Sequence, residues 1–127
     1  MGIKYILLKD LEVYKLSREL SALGWEIYNG LDWETKQING IQFIKSTDSV
    51  GANIAEGYSR FHYLDKIKFF YNSRSSLSEA NEHWLELLKE RNKVNETNYK
   101  KYKAIALKLS VKLNNFINST YKAKNQQ

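Results

Sequence analysis

Apolar residues recur at alternating intervals of three and four along most of the chain, which is the period of a helix with one buried face. Between Leu11 and Tyr28 this pattern predicts a first helix at about 11–28. Its apolar positions form the seam typical of a bundle helix, namely Val13, Leu16, Leu20, Leu23 and Ile27. Asp10 is placed to cap the first backbone N–H groups, and Gly30 is placed to end the helix.

A second helix is predicted at about 40–58, with Phe43, Val50 and Ile54 on one apolar stripe. Gly57 is predicted to cap its C-terminus, because glycine adopts the left-handed conformation without steric cost. Residues 31–39 have no strong repeat, so we expect them to connect the first two helices, with Trp33 covering the end of the bundle.

The rest of the chain predicts two further helices, at about 63–93 and 96–120, the last of them capped by Asn95. In the third helix Arg74 and Asn81 interrupt an inward stripe of Phe70, Leu77, Trp84 and Leu88. The seam of the fourth helix consists of Tyr99, Tyr102, Ala106, Leu109, Leu113 and Phe116. Short connections make consecutive helices antiparallel neighbours. The predicted fold is therefore all-α: one domain, residues 1–127, forming an antiparallel up-down-up-down four-helix bundle.

The second helix contains an unusual run, residues 49–57, in which four of nine residues are Gly or Ala. One interpretation is a buried helix that crosses its neighbours closely, and the other is a polar pocket or interface around Asn53 and Glu56. We expect Arg74 to pair with Glu56 or Glu79. Asn53, Glu56, Arg74 and Glu79 then form a predicted structural polar network.

This run also carries a family resemblance. The segment Asn53-Ile54-Ala55-Glu56-Gly57 resembles the signature of the four-helix-bundle proteins encoded in intervening sequences of bacterial 23S ribosomal RNA genes. Further motifs with the same resemblance are Gln42, Ser49 and Arg60 around that segment, Leu11-Glu12-Val13-Tyr14, and Phe69-Phe70-Tyr71 followed by Ser75-Ser76-Leu77-Ser78-Glu79. The resemblance covers roughly residues 9–120 and implies assembly into a ring-shaped homopentamer. The nine Tyr, five Phe and three Trp exceed the needs of a small core, which also favours a subunit interface.

The chain departs from the family pattern at three places. It has no proline before the second helix, where Trp33-Glu34 stands instead. Phe43-Ile44 occupies positions where the family has basic residues, and Ser75 occupies a position where it has glycine.

Composition restricts the class of protein. The absence of cysteine excludes disulfides and thiolate metal sites. No apolar run approaches the roughly 18 residues of a membrane span, and residues 1–8 are too few for a signal peptide before Asp10. We therefore expect a cytoplasmic bacterial protein with no membrane partner.

Candidate catalytic chemistry is sparse. His83 follows Glu79 by one helical turn, but the paired Glu-x-x-His motifs of a di-iron bundle are missing, and His62 lies in a predicted loop. No hydrolase motif or phosphate-binding loop is present in the sequence. The expectation is a protein without enzymatic activity, catalytic residues, metal or cofactor.

Charge indicates a partner instead. From Lys89 onward the chain has ten basic and two acidic residues, a local charge of +8 within a total of +6. A basic terminal helix is typical of binding to nucleic acid, although lysines on an outer helix face also serve solubility alone. The predicted nucleic-acid-binding residues are Lys66, Lys68, Lys100, Lys101, Lys103, Lys108 and Lys112.

Two functions follow as hypotheses. The first is a homo-oligomeric bundle that binds RNA, DNA or a nucleoprotein through this basic surface. The alternative is a protein-interaction scaffold, for example an accessory subunit of a reverse transcriptase, by analogy with similar pentameric bundles that accompany such enzymes.

Overall fold

The computed structural model describes residues 6–126, which form four long helices and no strand. The first helix is Glu12–Asn29, and a 3₁₀ turn at Leu8–Asp10 precedes it. The second helix begins with the α-helical turn Trp33–Thr35, passes through the π-helical segment Lys36–Gly40, and ends as the α-helix Ile41–Ser59.

The third helix is also interrupted by a π-helical segment. It comprises the α-helix Tyr63–Ser78, the π-helical Glu79–Trp84 and the α-helix Leu85–Glu90. The fourth helix, Glu96–Asn125, is regular over 30 residues, a length of about 45 Å at the α-helical rise. No helix within residues 6–126 is long and apolar enough to cross a membrane.

Contacts between consecutive helices run in opposite directions along the two chains, which defines antiparallel neighbours. Gly24, the later residue in the first helix, lies against Thr47 of the second helix, whereas the earlier Ser17 lies against the later Gly51. The third and fourth helices are also antiparallel, because Arg74 contacts Asn114 and the later Glu86 contacts the earlier Lys103. The fourth helix is antiparallel to the first, since Glu12 at the start of the first contacts Lys112 in the second half of the fourth. The prediction of an antiparallel four-helix bundle is confirmed.

The core lies where the apolar periodicity predicted it. All five seam residues of the first helix are buried, and Phe43, Val50 and Ile54 of the second helix are fully enclosed. The fourth helix buries the middle of its predicted seam, whereas Tyr99 and Phe116 at the two ends are half-buried. Inside this core the hydroxyl groups of Thr47 and Tyr102 form a hydrogen bond of 2.7 Å.

The inward stripe of the third helix was predicted correctly except at one position. Phe70, Leu77 and Leu88 are buried, but Trp84 is only half-buried, and Leu85 faces the core instead. The π-helical segment between them has i→i+5 hydrogen bonds and holds one residue more per turn than an α-helix. At this point the buried position therefore moves by one residue, from Trp84 to Leu85.

The predicted connection at 31–39 is wrong, because the second helix begins at Trp33 rather than at residue 40. The Asp32 carboxylate caps this start by accepting a hydrogen bond of 2.8 Å from the backbone N–H of Thr35. Trp33 does not cover the bundle end either, since 76% of its surface is exposed.

Two of the predicted helix ends are confirmed and two are wrong. Gly30 ends the first helix, and the Asn95 side chain caps the fourth by accepting from the N–H of Asn98 at 2.7 Å. Asp10 belongs to the 3₁₀ turn and makes no side-chain cap. Gly57 does not cap the second helix, which continues to Ser59. It lies inside that helix and contacts the third helix instead.

The last two helices end at residues other than those predicted. The third helix stops at Glu90 rather than near residue 93. Two residues after this end, Asn92 adopts a left-handed φ of 57°. The N–H of Lys93 reaches the carbonyl of Leu88 at 2.8 Å, and the N–H of Asn92 reaches that of Lys89 at 3.0 Å. This is a Schellman ending. The fourth helix continues to Asn125, beyond the predicted end at 120.

Candidate nucleic-acid interface

Three of the predicted binding lysines lie along one edge of the fourth helix. Lys101, Lys108 and Lys112 are separated by seven and four residues, so they project from the same side. Lys101 and Lys108 are exposed and form no ion pair within residues 6–126. The Nζ of Lys112 lies 3.6 Å from an Oε1 of Glu12 on the first helix. We call these three residues the lysine edge.

Two other predicted lysines have a structural role. Lys66 is partly buried, its Nζ donates to the backbone carbonyl of Tyr58 at 2.9 Å, and burial lowers its pKa. The Nζ of Lys103 lies 2.6 Å from a carboxylate oxygen of Glu86 and 2.6 Å from the backbone carbonyl of Asn81. The Lys66 contact links the third helix to the second, and the Lys103 contacts link the fourth helix to the third.

The Lys103 contact belongs to a compact polar cluster between the third and fourth helices. Glu86 accepts a hydrogen bond of 2.6 Å from the Tyr99 hydroxyl as well as the Lys103 contact. These bonds, with the one from Lys103 contributing most, lower the pKa of Glu86. The hydrogen bond to Glu86 and burial raise the pKa of Tyr99 to about 12.

The remaining predicted lysines are exposed but separated from the lysine edge. Lys100 forms a long ion pair of 3.7 Å with Glu96 one helical turn away. Lys68 lies on the solvent side of the third helix. Exposed pairs of this length contribute little to stability, so Lys100 and Lys112 can exchange their carboxylates for another anion.

The predicted structural polar network is wrong, because its four members have separate partners. Glu56 pairs with Arg60 at 2.6 Å, and Asn53 donates to the backbone carbonyl of Ser49 at 2.9 Å. Glu56 is exposed and Arg74 is directed toward the fourth helix, so the two do not meet. The other two members bind elsewhere: Arg74 donates to Asn114 at 3.2 Å, and Glu79 accepts from the indole N–H of Trp84 at 2.7 Å.

Of the two interpretations of the small-residue run, close helix crossing is the one observed. An added Cβ on Gly51 would lie 2.7 Å from the Ser17 hydroxyl, and one on Gly57 would lie 2.8 Å from the Phe70 ring. The Ser73 hydroxyl donates to the carbonyl of Val50 at 2.7 Å across the same interface. The run therefore lets the first and third helices approach the second.

Sequence reasoning missed an apolar face on the fourth helix. Leu107 and Val111 are 68% and 52% exposed, and Ala104 lies one turn before Leu107 on the same side. Beside this face runs a groove of about 660 Å³ between the third and fourth helices, where Arg74 and Lys103 line the wall. The pattern was readable in the sequence, since these positions follow one another at three- and four-residue spacing outside the seam.

The two histidines do not form a site. His83 is exposed and packs edge-on against Trp84, whereas Glu79 is bonded to the indole of that same residue. His62 precedes the third helix and lies against the exposed ring of Phe61. Within residues 6–126 no three His, Asp or Glu side chains come close enough to hold a metal ion.

The fold and these helix contacts define a class of protein, a small all-α four-helix bundle with close crossings at glycine. The profile of the 23S rRNA-intervening sequence protein family matches residues 9–115, and the chain belongs to that family.

One solved structure similar to this chain is a protein of unknown function from the S23 ribosomal protein family of Bacteroides thetaiotaomicron. The two chains are 23% identical and superpose with a TM-score of 0.76 over 83% of this chain and 97% of the other. That likeness supports the bundle fold. Comparison with curated proteins finds no significant match.

Proposed function

We propose that this protein is a non-enzymatic, homo-oligomeric bundle of the cytoplasm that binds RNA or DNA through the lysine edge. The observation that carries the proposal is the pair Lys101 and Lys108, which are exposed and unpaired within residues 6–126. Lys112 extends the same edge and is held only by a weak exposed contact.

The charge distribution supports a polyanionic partner. The chain from Lys89 onward carries +8, which leaves −2 for the first 88 residues. Lys101 and Lys108 are separated by seven residues, or about 10.5 Å along the helix. This arrangement offers cations to a phosphate backbone. Binding should therefore depend on charge and show little sequence preference.

A salt series tests this proposal. Fluorescence anisotropy is measured with single-stranded RNA, single-stranded DNA and duplex DNA at several salt concentrations. The logarithm of affinity falls with the logarithm of salt by about 0.7 per phosphate contact on single strands and about 0.9 on B-DNA. Changing Lys101, Lys108 and Lys112 to Gln removes three cations, so the slope should become shallower by about 2 to 3.

A matched control separates the lysine edge from net charge. Lys9, Lys15 and Lys45 are also exposed and outside the fourth helix, and changing these three to Gln lowers the net charge equally. The control should retain the wild-type slope. Equal losses in the two triple variants, or no binding by the wild type at low salt, would contradict the proposal.

The second candidate function is a protein-interaction scaffold, for example an accessory subunit of a reverse transcriptase. Its support is the exposed apolar face of Ala104, Leu107 and Val111, since apolar side chains on a helix surface are typical of interfaces. The same face suits the homopentameric assembly that the family resemblance implies. Light scattering measures the assembly, and Leu107→Lys should reduce it if this face joins subunits.

The two functions give different results in one experiment. A partner protein recovered with the wild type after nuclease treatment, and lost in Leu107→Lys, favours the scaffold. Capture that depends on nucleic acid and on the lysine edge favours the first proposal.

A further inference from the structure

A small cavity lies where the second helix ends and the third begins, against the last turns of the fourth helix. Its volume is about 270 Å³, just below the range typical of drug-sized ligands, so it suits a molecule built on a single ring. Aromatic side chains form much of its wall, among them Tyr63 and Phe70 of the third helix and Phe116 of the fourth. The lysine edge takes no part in this cavity.

Lys66 is the one residue with a charged side chain among the described residues that line this cavity. Its Nζ donates to the backbone carbonyl of Tyr58 at 2.9 Å and lies 5.4 Å from the centre of the Tyr58 ring. It forms no ion pair within residues 6–126. Lys103, which is also half-buried, has the Glu86 carboxylate at 2.6 Å instead. Lys66 is therefore a partly buried cation whose described partners are all neutral.

The surroundings of this ammonium favour the arrival of an anion. Burial lowers the pKa of Lys66, because desolvation disfavours the charged form. Cations inside proteins are usually paired with an anion, which offsets that cost. An ammonium has three N–H donors, and the Tyr58 carbonyl takes one, so two remain for a ligand. No Asp or Glu side chain among the described lining residues opposes a negative charge in the cavity.

We propose that this cavity binds a small aromatic carboxylate, with its ring against Phe70 and Phe116 and its carboxylate on the Nζ of Lys66. These two phenyl rings already form a tilted pair, with centroids 4.8 Å apart and an interplanar angle of 59°. Aromatic rings prefer such tilted and edge-to-face contacts to a face-to-face stack, so a third ring gains more here than an aliphatic chain does.

The charge of the ligand follows from the single cation. A hydrogen bond between an ammonium and a carboxylate is about twice as strong as one between neutral groups, which favours an acid over an alcohol with the same ring. One ammonium balances one carboxylate, whereas a phosphate monoester carries close to two negative charges at neutral pH. The wall of rings leaves no second cation for that extra charge among the described lining residues.

Two-dimensional NMR on the isotope-labelled full chain tests the proposal, because it detects weak binding and also locates it. Phenylacetate is titrated beside 2-phenylethanol and 2-phenylethylamine, which keep the ring but are neutral and positively charged, and beside acetate, which keeps only the charge. Phenylacetate should bind saturably and about tenfold more tightly than each of these. The shifted amides should lie in residues 63–70 and 116–123.

Three results would overturn the proposal. They are the absence of saturable binding by phenylacetate, equal affinity for 2-phenylethanol, and shifts confined to another part of the bundle. Hexanoate, an acid with an aliphatic chain, should bind more weakly than phenylacetate. Equal binding of these two acids would overturn the assignment to an aromatic ligand.

Lys66→Met tests the role of the cation. Methionine keeps an apolar stem of similar length, so this variant should lose about tenfold in phenylacetate affinity and bind 2-phenylethanol as the wild type does. Lys66→Arg keeps the charge and should recover part of the loss. Lys68→Met is the matched control, since Lys68 is exposed on the same helix and lies outside the cavity. Equal losses in Lys66→Met and Lys68→Met would contradict a direct contact.

Ala123→Phe tests the cavity without changing Lys66. Ala123 lines the cavity from the end of the fourth helix, so a large side chain there should displace phenylacetate and 2-phenylethanol alike. Ala104→Phe makes the same change at an exposed position of that helix outside the cavity, and it should bind both compounds normally. Normal phenylacetate binding by a folded Ala123→Phe protein would overturn the proposal even if Lys66→Met fails to fold.

This inference does not depend on the proposed function. The Gln variant of Lys101, Lys108 and Lys112 should still bind phenylacetate, and Lys66→Met should keep the salt slope for nucleic acid. Failure of one pair of measurements therefore leaves the other standing.

Discussion

Gly57→Ala tests whether close helix crossing, rather than helix capping, explains the small residues of the second helix. Gly57 is inside the helix, so alanine gains about 1 kcal/mol in intrinsic helix propensity. The new Cβ would lie 2.8 Å from Phe70 Cε1, 2.9 Å from Phe69 Cβ and 3.0 Å from the carbonyl oxygen of Lys66. Two of these atoms are fixed to the backbone of the third helix, so the helix itself must move.

The magnitude follows from the balance of these effects. Overpacking of this kind costs about 1–3 kcal/mol, and the immobile neighbours place Gly57→Ala in the upper part of that range. We expect a net loss of about 1–2 kcal/mol after the propensity gain. For a domain of this size that lowers the melting temperature by about 3–8 °C.

Thermal and urea unfolding followed by circular dichroism measures the effect, and Gly30→Ala is the control. A Cβ on Gly30 would meet only the carbonyls of Ile27 and Glu26, at ordinary distances of 3.5 and 3.7 Å. Its φ of −78° suits alanine, so this variant should be unchanged or slightly more stable. A Gly57→Ala protein as stable as the wild type would refute the crossing argument.

Three further predictions concern single contacts. Tyr102→Phe should cost about 1–2 kcal/mol because it leaves the buried Thr47 hydroxyl unpaired, and adding Thr47→Val should recover most of that loss in chemical denaturation. Asn92→Ala should lower stability by about 1 kcal/mol, because alanine tolerates a left-handed φ poorly, whereas Asn92→Gly should be at least as stable as the wild type in the same assay. The pKa of Tyr99 is about 12 in the folded state against 10 ordinarily, so the stability that its hydrogen bond to Glu86 contributes is fully present below pH 10 and is lost as the pH rises from 10 to 12. Urea titrations at each pH should therefore show that Tyr99→Phe loses less stability than the wild type over this pH range.

The helices and their buried faces could be predicted because a single period generates them. Val13 and Leu20 in the first helix, like Leu109 and Leu113 in the fourth, follow spacings that only one helix face satisfies. Trp84 was misplaced because the π-helical segment changes that period locally, and no residue type marks such a segment.

The start of the second helix was missed although its signal is present. Asp32 stands three residues before Thr35, the spacing of a side-chain cap, but the helix that follows has no clear apolar repeat before residue 40. The prediction followed the apolar periodicity and ignored the cap. In the structure, the hydrogen bond between Asp32 and Thr35 marks where the second helix begins.

The candidate sites were harder to predict because they depend on how the helices are rotated against one another. Arg74 and Glu56 have a plausible spacing on adjacent helices, yet the observed rotation directs Arg74 toward the fourth helix. The cavity at Lys66 combines the start of the third helix with residues of the fourth that lie more than 40 residues later. No pattern within either segment reveals the other.

The two π-helical segments have a consequence for comparing sequences within the family. Each is the structural equivalent of one extra residue inserted within a helix, absorbed by a wider turn instead of a loop. A relative with plain α-helix at either place would need a one-residue gap in mid-helix to align correctly. Without that gap every residue beyond it would be compared with a neighbour turned by about 100°, so core positions would be matched with surface ones. Insertions and deletions in these bundles therefore belong inside the helices as well as between them.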